Sequence, residues 1–553
     1  VQLSLEVIAC GGANAQDPTT KISWKKIVID TAFRSEGVAV ADVNKDGRPD
    51  IIAGDCWYEA PKEPGGVWQR HILRADRKFD PEIPGQYSES FACFVDDFNG
   101  DGYPDVVVIP FPGKPCYWYE NPGAKGGMWT PHLLTTSACN ETPIYVDLFK
   151  TGKKILVMGW NPLKDASDPK KGSHDDRGEM CYFLPGKDPT QPWQRVSISG
   201  PPVPGTTRAG NVNGTIPGTA RFAHGLGHGD VNGDGRVDVI VPQGWWEQPE
   251  KIDGKPWKFH AAKITDACAD MFTYDMTGTG RPDILSSSAH NYGLWWSEQK
   301  APDTFVQRAL FPNPFDVAKL PENANLSAEE KKLIETINKL RNDKFRCAPF
   351  KVDLELCKLA RRFGELPRSD APFDKDALAR NYSGKVIHLA THSTAAAGAK
   401  DFEKLALTLL PDHEKQKNQV RPGFEIGVGA SLNAEGKTVF ALIIGDRGRF
   451  SLPAQTHALQ CVDIDGDGLK DLVTGRRWRA HGPKGDASPA DPAYLYWFQA
   501  RRDKLGAVTF VPHMIDDDSG IGTQFAVADI NGDGLPDIAV SNKKGVYVFL
   551  QVR

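Results

Sequence analysis

The chain has 553 residues, 66 Lys and Arg against 71 Asp and Glu, and a formal net charge of −5. That balance argues against nucleic acid as a partner, and no apolar run is long enough to span a membrane as a helix. With 54 Gly and 41 Pro the sequence suits many tight turns around several β cores.

The first residues, Val1-Gln-Leu-Ser-Leu-Glu-Val-Ile-Ala-Cys10, read as a clipped leader, and 1–20 are assigned to it. Ala13-Asn-Ala15 fits a small-residue cleavage site, and Val7-Ile-Ala-Cys10 fits a bacterial lipoprotein box equally well. Either reading predicts a secreted, periplasmic or cell-surface protein.

Beyond the leader one acidic pattern recurs five times. It runs Asp42-Val-Asn44-Lys-Asp46-Gly-Arg48-Pro-Asp50, and Asp97-Phe-Asn99-Gly-Asp101-Gly-Tyr103-Pro-Asp105. It returns as Asp230-Val-Asn232-Gly-Asp234-Gly-Arg236-Val-Asp238, then Asp463-Ile-Asp465-Gly-Asp467-Gly-Leu469-Lys-Asp471. The fifth copy is Asp529-Ile-Asn531-Gly-Asp533-Gly-Leu535-Pro-Asp537. Oxygen side chains at alternate positions, with a glycine at the sharp turn, suit a hard cation. The expected ligands are the Asp and Asn side chains and the backbone carbonyl of Arg48, Tyr103, Arg236, Leu469 or Leu535, which is Ca²⁺ chemistry. Short apolar runs on either side make each loop a hairpin rather than an EF-hand. About five structural Ca²⁺ ions are predicted. They need millimolar-range Ca²⁺, which again favours an extracytoplasmic setting.

Two decayed copies complete the count. Asp275-Met-Thr-Gly-Thr-Gly-Arg-Pro-Asp283 keeps the spacing with two ligands replaced by Thr, and Asp147-Leu-Phe-Lys-Thr-Gly152 keeps only the turn. An aromatic residue opens a short amphipathic strand at Trp24, Trp68, Trp129, Trp193, Trp257, Phe305 and Phe510. Seven turns and seven aromatic strands predict an all-β seven-bladed β-propeller, with the strand at Trp24 completing the last blade. Blades one to five are placed at 21–311, and six and seven at 447–553. Ten cysteines show no metal or haem spacing, and Cys56, Cys116 and Cys181 recur at one repeat position, which predicts buried packing rather than disulfides.

The repeat breaks at 312–446. Ser327-Ala-Glu-Glu330 is a capping box opening a helix, and a second helix follows around Leu354-Glu-Leu-Cys-Lys-Leu. A third apolar stretch starts at Phe402, and Phe424-Glu-Ile-Gly-Val-Gly and Val439-Phe-Ala-Leu-Ile-Ile read as paired strands. Pro411-Asp-His413 and Arg421-Pro-Gly-Phe-Glu-Ile-Gly-Val-Gly resemble the CAP superfamily of cysteine-rich secretory and pathogenesis-related proteins. The resemblance implies an inserted α/β (CAP-like) domain, read as structural or as the site of a protein partner.

Function is sought in the differences between blades. The residue six before each loop's first Asp reads Glu36, Phe91, Glu141, His224, Ala269, His457 and Thr523. In a propeller these positions ring the central channel on the face opposite the acidic loops. A packing position would be uniformly small or apolar, so two His and two Glu point to a ligand or a divalent metal in the channel. The exits of the second strands add Asp55, Asn161, Trp245, His290, Asn291, Tyr292, Arg476, Arg477 and Arg479 to the same mouth. By contrast His71, His132, His260 and His513 each fall three residues after an outer-strand aromatic and read as packing.

The acidic hairpins resemble the FG-GAP and VCBS repeat families. With a His/Arg mouth, the propeller also resembles propeller-fold polysaccharide lyases and the propeller part of fungal aldos-2-ulose dehydratase. That resemblance implies β-elimination on a uronate- or keto-sugar-containing carbohydrate. The expected catalytic residues are His224, His457, His290, Arg477 and Tyr292, with His224 or His457 as base and Arg477 gripping a carboxylate. Trp245, Arg476, Arg479, Glu36, Glu141 and Asn291 are expected to bind substrate. The alternative is a non-catalytic glycan- or protein-binding propeller serving adhesion or scaffolding.

Overall fold

The computed structural model describes residues 22–553 apart from 84, 169–170, 174–176, 203–215, 321–323, 366–384, 395–400, 412–424, 434, 447–449 and 483–484. The expected leader and half of the CAP-like signature, including His413, lie outside the described residues. The chain divides into two compact units. One comprises Val1–Leu310, Gln455–Gly482 and Ala493–Arg553, and the other Phe311–Ala454 with Pro483–Pro492. The second unit thus runs past the expected boundary at 446 and takes in a stretch assigned from sequence to the sixth repeat.

Alternating short apolar runs and Asp-Gly turns fold the first unit into antiparallel sets of four strands, two of which join in one eight-stranded sheet. Their first strands are Ala39–Ala41, Ala92–Asp96, Ile144–Val146, Leu226–Gly229, Asp270–Tyr274, Leu459–Val462 and Ala526–Ala528. Their fourth strands are Gln69–Ile72, Thr130–Ala138, Gln194–Ser197, Lys258–Ala261, Thr304–Ala309 and Val508–Asp516. The last sheet takes its fourth strand, Ser23–Asp30, from the other end of the chain, paired antiparallel with Gly545–Val552 from Ser23↔Val552 to Asp30↔Val546. First strands of neighbouring sheets touch, and Leu226–Gly229 pairs in parallel with Asp270–Tyr274. This is β-propeller architecture.

Side chains bridge neighbouring first strands. Gln524 Oε1 accepts the N–H groups of Val38 and Cys93, and Asp270 Oδ2 accepts the Leu459 N–H at 2.9 Å. Burial pushes the Asp270 carboxyl up to about 7, against a single backbone hydrogen bond that pulls it down. Its folded value exceeds its unfolded one, so its contribution is fully present below about pH 4 and is lost as pH rises through 7. Asp270→Asn keeps the acceptor and removes the charge. The melting temperature should rise at pH 8, by the equivalent of up to about 4 kcal/mol, and stay unchanged at pH 4. Equal effects at both pH values would refute a charged origin.

A recurring stack fixes the outer half of four sheets. Trp57 lies on His71, Trp118 on His132, Trp245 on His260 and Trp497 on His513, with ring centroids 4.0–4.5 Å apart. Each imidazole Nε2 meets Glu59, Glu120, Glu247 or Gln499 on the third strand. The four histidines are packing residues, as their spacing implied. Trp245 belongs with them: it is 1% exposed and donates Nε1–H to Asp303. The expectation that it binds substrate is therefore corrected. Trp245→Ala should cost about 3–5 kcal/mol of stability and leave ligand affinity of the folded fraction intact; weakened affinity without a fall in melting temperature would contradict the packing role.

Nine described cysteines are free thiols, and Cys56, Cys116 and Cys181 are fully buried, as expected for packing positions.

In the second unit the Ser327 capping box forms as expected and starts the helix Ala328–Asp343. Glu330 does more than cap. It also takes two hydrogen bonds from Arg361, on the helix Leu354–Glu365, and one from the Ala430 N–H on the strand Glu425–Leu432. That strand pairs with Thr438–Asp446. A Cβ on Gly427 would lie 2.0 Å from the Leu356 backbone, and one on Gly429 would lie 2.2 Å from Arg361 N. The glycines of Glu-Ile-Gly-Val-Gly are there so that the helix can lie directly on the sheet.

Candidate functional site

The acidic loops keep one backbone shape. Asp42 Oδ1 accepts the Asp46 N–H and Asp42 Oδ2 the Gly47 N–H. The same pair of bonds recurs from Asp97, Asp230, Asp463 and Asp529. The turn needs a left-handed residue at Gly47 (φ 87°), and the equivalent Gly102, Gly235, Gly468 and Gly534 all have φ between 82° and 91°. Each loop's last Asp is buried at the start of the next strand. Asp50 Oδ2 accepts from Val43 N and Oδ1 from Ala60 N.

Burial, reinforced by like charges from the same loop, pushes Asp50, Asp105, Asp238 and Asp471 up to about 7. Carboxylates crowded this way fit a bound cation, and oxygens of Asp463, Asp465 and Asp471 all lie within 4.8 Å of one another. In two loops an arginine answers part of the charge: Arg48 pairs with Asp46 and Arg236 with Asp234. The decayed loops hold the same shape, with Asp147 accepting from Thr151 and Gly152, and Asp275 from Thr279 and Gly280.

The residues six before these loops converge with one second-strand exit. His224 Nε2 and His457 Nε2 are 3.0 Å apart. Glu141 Oε2 is 3.5 Å from the first and 3.2 Å from the second. Arg477, which leaves the strand Asp471–Gly475, donates Nη1–H to Glu141 Oε2 at 2.9 Å and Nη2–H to Glu36 Oε2. The His290 ring stands edge-on to His224 at 4.8 Å, and His481 lies 4.9 Å from His290. Backbone bonds fix the entries to these strands: Glu36 N–H donates to Ser90 O, Glu141 N–H to Ala223 O and Thr523 N–H to Glu36 O.

Electrostatics follow from burial and from Arg477. Burial alone would raise the Glu141 carboxyl, but the Arg477 guanidinium and the two imidazoles hold it well below the usual range. Burial and the Arg477 charge drive His457 well below its ordinary value. Burial, with His224 and His481 beside it, takes His290 down to about 4. Burial opposes the Arg477 charge, yet Glu36 and Glu141 outweigh it and raise its pKa. At neutral pH the site therefore holds an ionised carboxylate and uncharged imidazoles at His457 and His290.

Several expectations change here. His457 is 0% exposed and cannot meet a substrate as the base. Arg477 is 2% exposed with its guanidinium held by two glutamates, so it positions Glu141 and Glu36 rather than gripping a substrate carboxylate. Arg476 is fully buried, its backbone bonded to Tyr494 and Ile521, and does not reach substrate. Asp55 is taken by Arg74 and Arg77. Asn291 is exposed and Tyr292 half-buried. Arg479 pairs with Glu82 and lies over the Trp478 ring at 4.4 Å.

Two residues at this mouth escaped the sequence reading. Lys543 sits 4.8 Å above the Tyr87 ring, and Arg477 lies 5.9 Å from the same ring. Lys543 follows the strand Asp537–Asn542, the last sheet's second strand, so its exit position was the signal available.

Comparison with known proteins adds one family-model match and three distant likenesses. The FG-GAP-like repeat model matches residues 463–540, from the Asp463 loop into the Asp537–Asn542 strand. No curated protein matches the chain. Among solved structures, a lectin of Agrocybe aegerita that recognises non-reducing terminal N-acetylglucosamine is 15% identical (TM-score 0.29, covering 52% of this chain and 67% of the lectin). Rhamnogalacturonan lyase YesW is 13% identical (TM-score 0.26, 51% and 50%). The BBS1N chain from its complex with ARL6DN is 10% identical (TM-score 0.26, 96% and 96%).

Proposed function

We propose that the chain is an extracytoplasmic, Ca²⁺-binding, seven-bladed propeller that catalyses β-elimination on a uronate- or keto-sugar-containing carbohydrate. The blade count rests on five four-stranded sheets and one eight-stranded sheet read as two blades, and the Ca²⁺ assignment on the five acidic loops. The inserted unit is read as a CAP-like domain on its capping box and its Gly427 and Gly429 packing.

The observation that carries the activity is the histidine cluster around Glu141, held by Arg477 and flanked by an uncharged His290. His290 would take the proton beside the carbonyl or carboxylate, and the C–H electron pair would become the enolate. Collapse of the enolate would form the C=C bond and break the β C–O bond, and the proton on His290 would return to the departing oxygen. Trp478 and Tyr87, both half-buried at the mouth, suit the faces of a sugar.

The test is incubation with a panel of uronate polysaccharides and 3-keto-glycosides, following the ultraviolet absorbance of unsaturated product. His290→Ala should lower turnover by about 10²–10⁴-fold with substrate still bound. Full activity in that variant removes His290 as base. A silent panel with retained glycan binding makes the propeller a binding module.

A further inference from the structure

The geometry points to a divalent transition-metal site, with zinc as its default occupant, held by Glu141 Oε2, His224 Nε2 and His457 Nε2 and separate from the acidic loops. It uses the same residues as the proposed activity but does not depend on that activity.

The three ligand atoms form a triangle with edges of 3.0, 3.2 and 3.5 Å. Zinc–nitrogen and zinc–oxygen bonds of about 2.0–2.1 Å at tetrahedral angles place neighbouring ligand atoms about 3.3 Å apart. The spacing of the triangle is that of three ligands around one such ion. Its fourth corner remains for a substrate oxygen or water.

Protons alone cannot satisfy the triangle. With one proton shared between the two Nε2 atoms, the imidazole without it turns a lone pair toward the Glu141 carboxylate. With a proton on each Nε2, both N–H groups can turn to Glu141 Oε2, but two donors then crowd each other across 3.0 Å. With neither protonated, all three edges set lone pair against lone pair. Each arrangement leaves at least one repulsive edge in a buried setting, where such an edge is costly. A cation at the centre turns three converging lone pairs into three bonds.

The surroundings agree. Arg477 donates to Glu141 and is itself held by Glu36, as outer partners of a ligating carboxylate are. Glu36, Glu141 and Arg477 sum to one negative charge, so a dication is not opposed by the net charge. Two imidazoles and one carboxylate select a first-row transition ion over Ca²⁺, which takes six to eight oxygens. In the proposed elimination the ion would polarise the carbonyl while His290 serves as base.

The test uses the whole chain, stripped with chelator and returned to excess Ca²⁺ so that the acidic loops are supplied. Zinc is then titrated and its stoichiometry measured, and Co²⁺ replaces it to report geometry through visible absorption. One zinc per chain is expected in the presence of Ca²⁺, with a tetrahedral Co²⁺ spectrum. His224→Ala and His457→Ala should each weaken zinc binding by at least about 100-fold, while Asp467→Asn in an acidic loop leaves it unchanged. Because a channel variant could fail to fold, X-ray absorption at the zinc edge of the unaltered protein counts imidazole ligands directly, and two are expected. Failure to bind stoichiometric zinc, equal binding in both histidine variants, or an all-oxygen shell overturns the site. Full zinc with a silent substrate panel refutes the activity alone; full activity after zinc removal refutes the ion's part in the elimination and not the site.

Discussion

Replacing Arg477 with Met should lower the melting temperature by about 5–10 °C, the equivalent of about 3–5 kcal/mol. The guanidinium is buried between Glu36 and Glu141 and is the cation that both carboxylates share. Removing it leaves two acids facing each other with little access to water, and the penalty is that of uncompensated buried charge rather than of one lost contact. Arg477→Lys should recover only part of the loss, because a single ammonium cannot reproduce a fork that reaches two carboxylates at once. Adding Glu36→Gln and Glu141→Gln to Arg477→Met should recover more, since no charge is then stranded. If Arg477→Met melts like the parent protein, the triad does not hold this channel together.

The second large effect is expected from removing Ca²⁺. A ligand present at about 100 times its dissociation constant stabilises by about 2.7 kcal/mol per site. With five acidic loops, chelator should lower the melting temperature by at least about 5 °C, reversed by Ca²⁺ and not by Mg²⁺. Asp467→Asn should reproduce part of that fall. The effect should be concentrated in the five full loops, because Asp275 is followed by Thr277 and Thr279 where the others carry acids or amides. An unchanged melt in excess chelator would mean that the loops stand without ions.

Much of this arrangement was legible in the chain because a propeller turns repeat position into spatial position. Counting six residues back from each loop's first Asp picked out Glu36, Glu141, His224 and His457. Glu141 and the two histidines share one triangle, and Arg477 links Glu141 to Glu36. The capping box at Ser327 was legible for a different reason: its chemistry is local, so three residues suffice to identify it. What counting could not supply was direction. Arg477 and Arg476 are neighbours in sequence, yet one guanidinium reaches Glu36 and Glu141 and the other side chain is buried elsewhere. Trp245 was misread because its sheet places two tryptophans in succession. Register decides the matter: Trp245 faces His260 across the strands, as Trp57 faces His71.

The pairing of Ser23–Asp30 with Gly545–Val552 also governs when this molecule can finish folding. Its partners are more than 500 positions apart, as the hydrogen bond from Ser23 Oγ to Val552 O illustrates. At synthesis rates of about 5–20 residues per second, the first strand waits roughly half a minute to two minutes for its partner. During that interval one end offers a lone strand and the other an unfinished sheet edge, each able to capture a second chain. Early sheets can form in order as they emerge, but the final latch is one loop-closing event spanning more than 500 residues. Speed of assembly and resistance to unravelling therefore depend on the same eight residues, and a lesion in Ser23–Asp30 would surface first as aggregation during production rather than as a weaker finished protein.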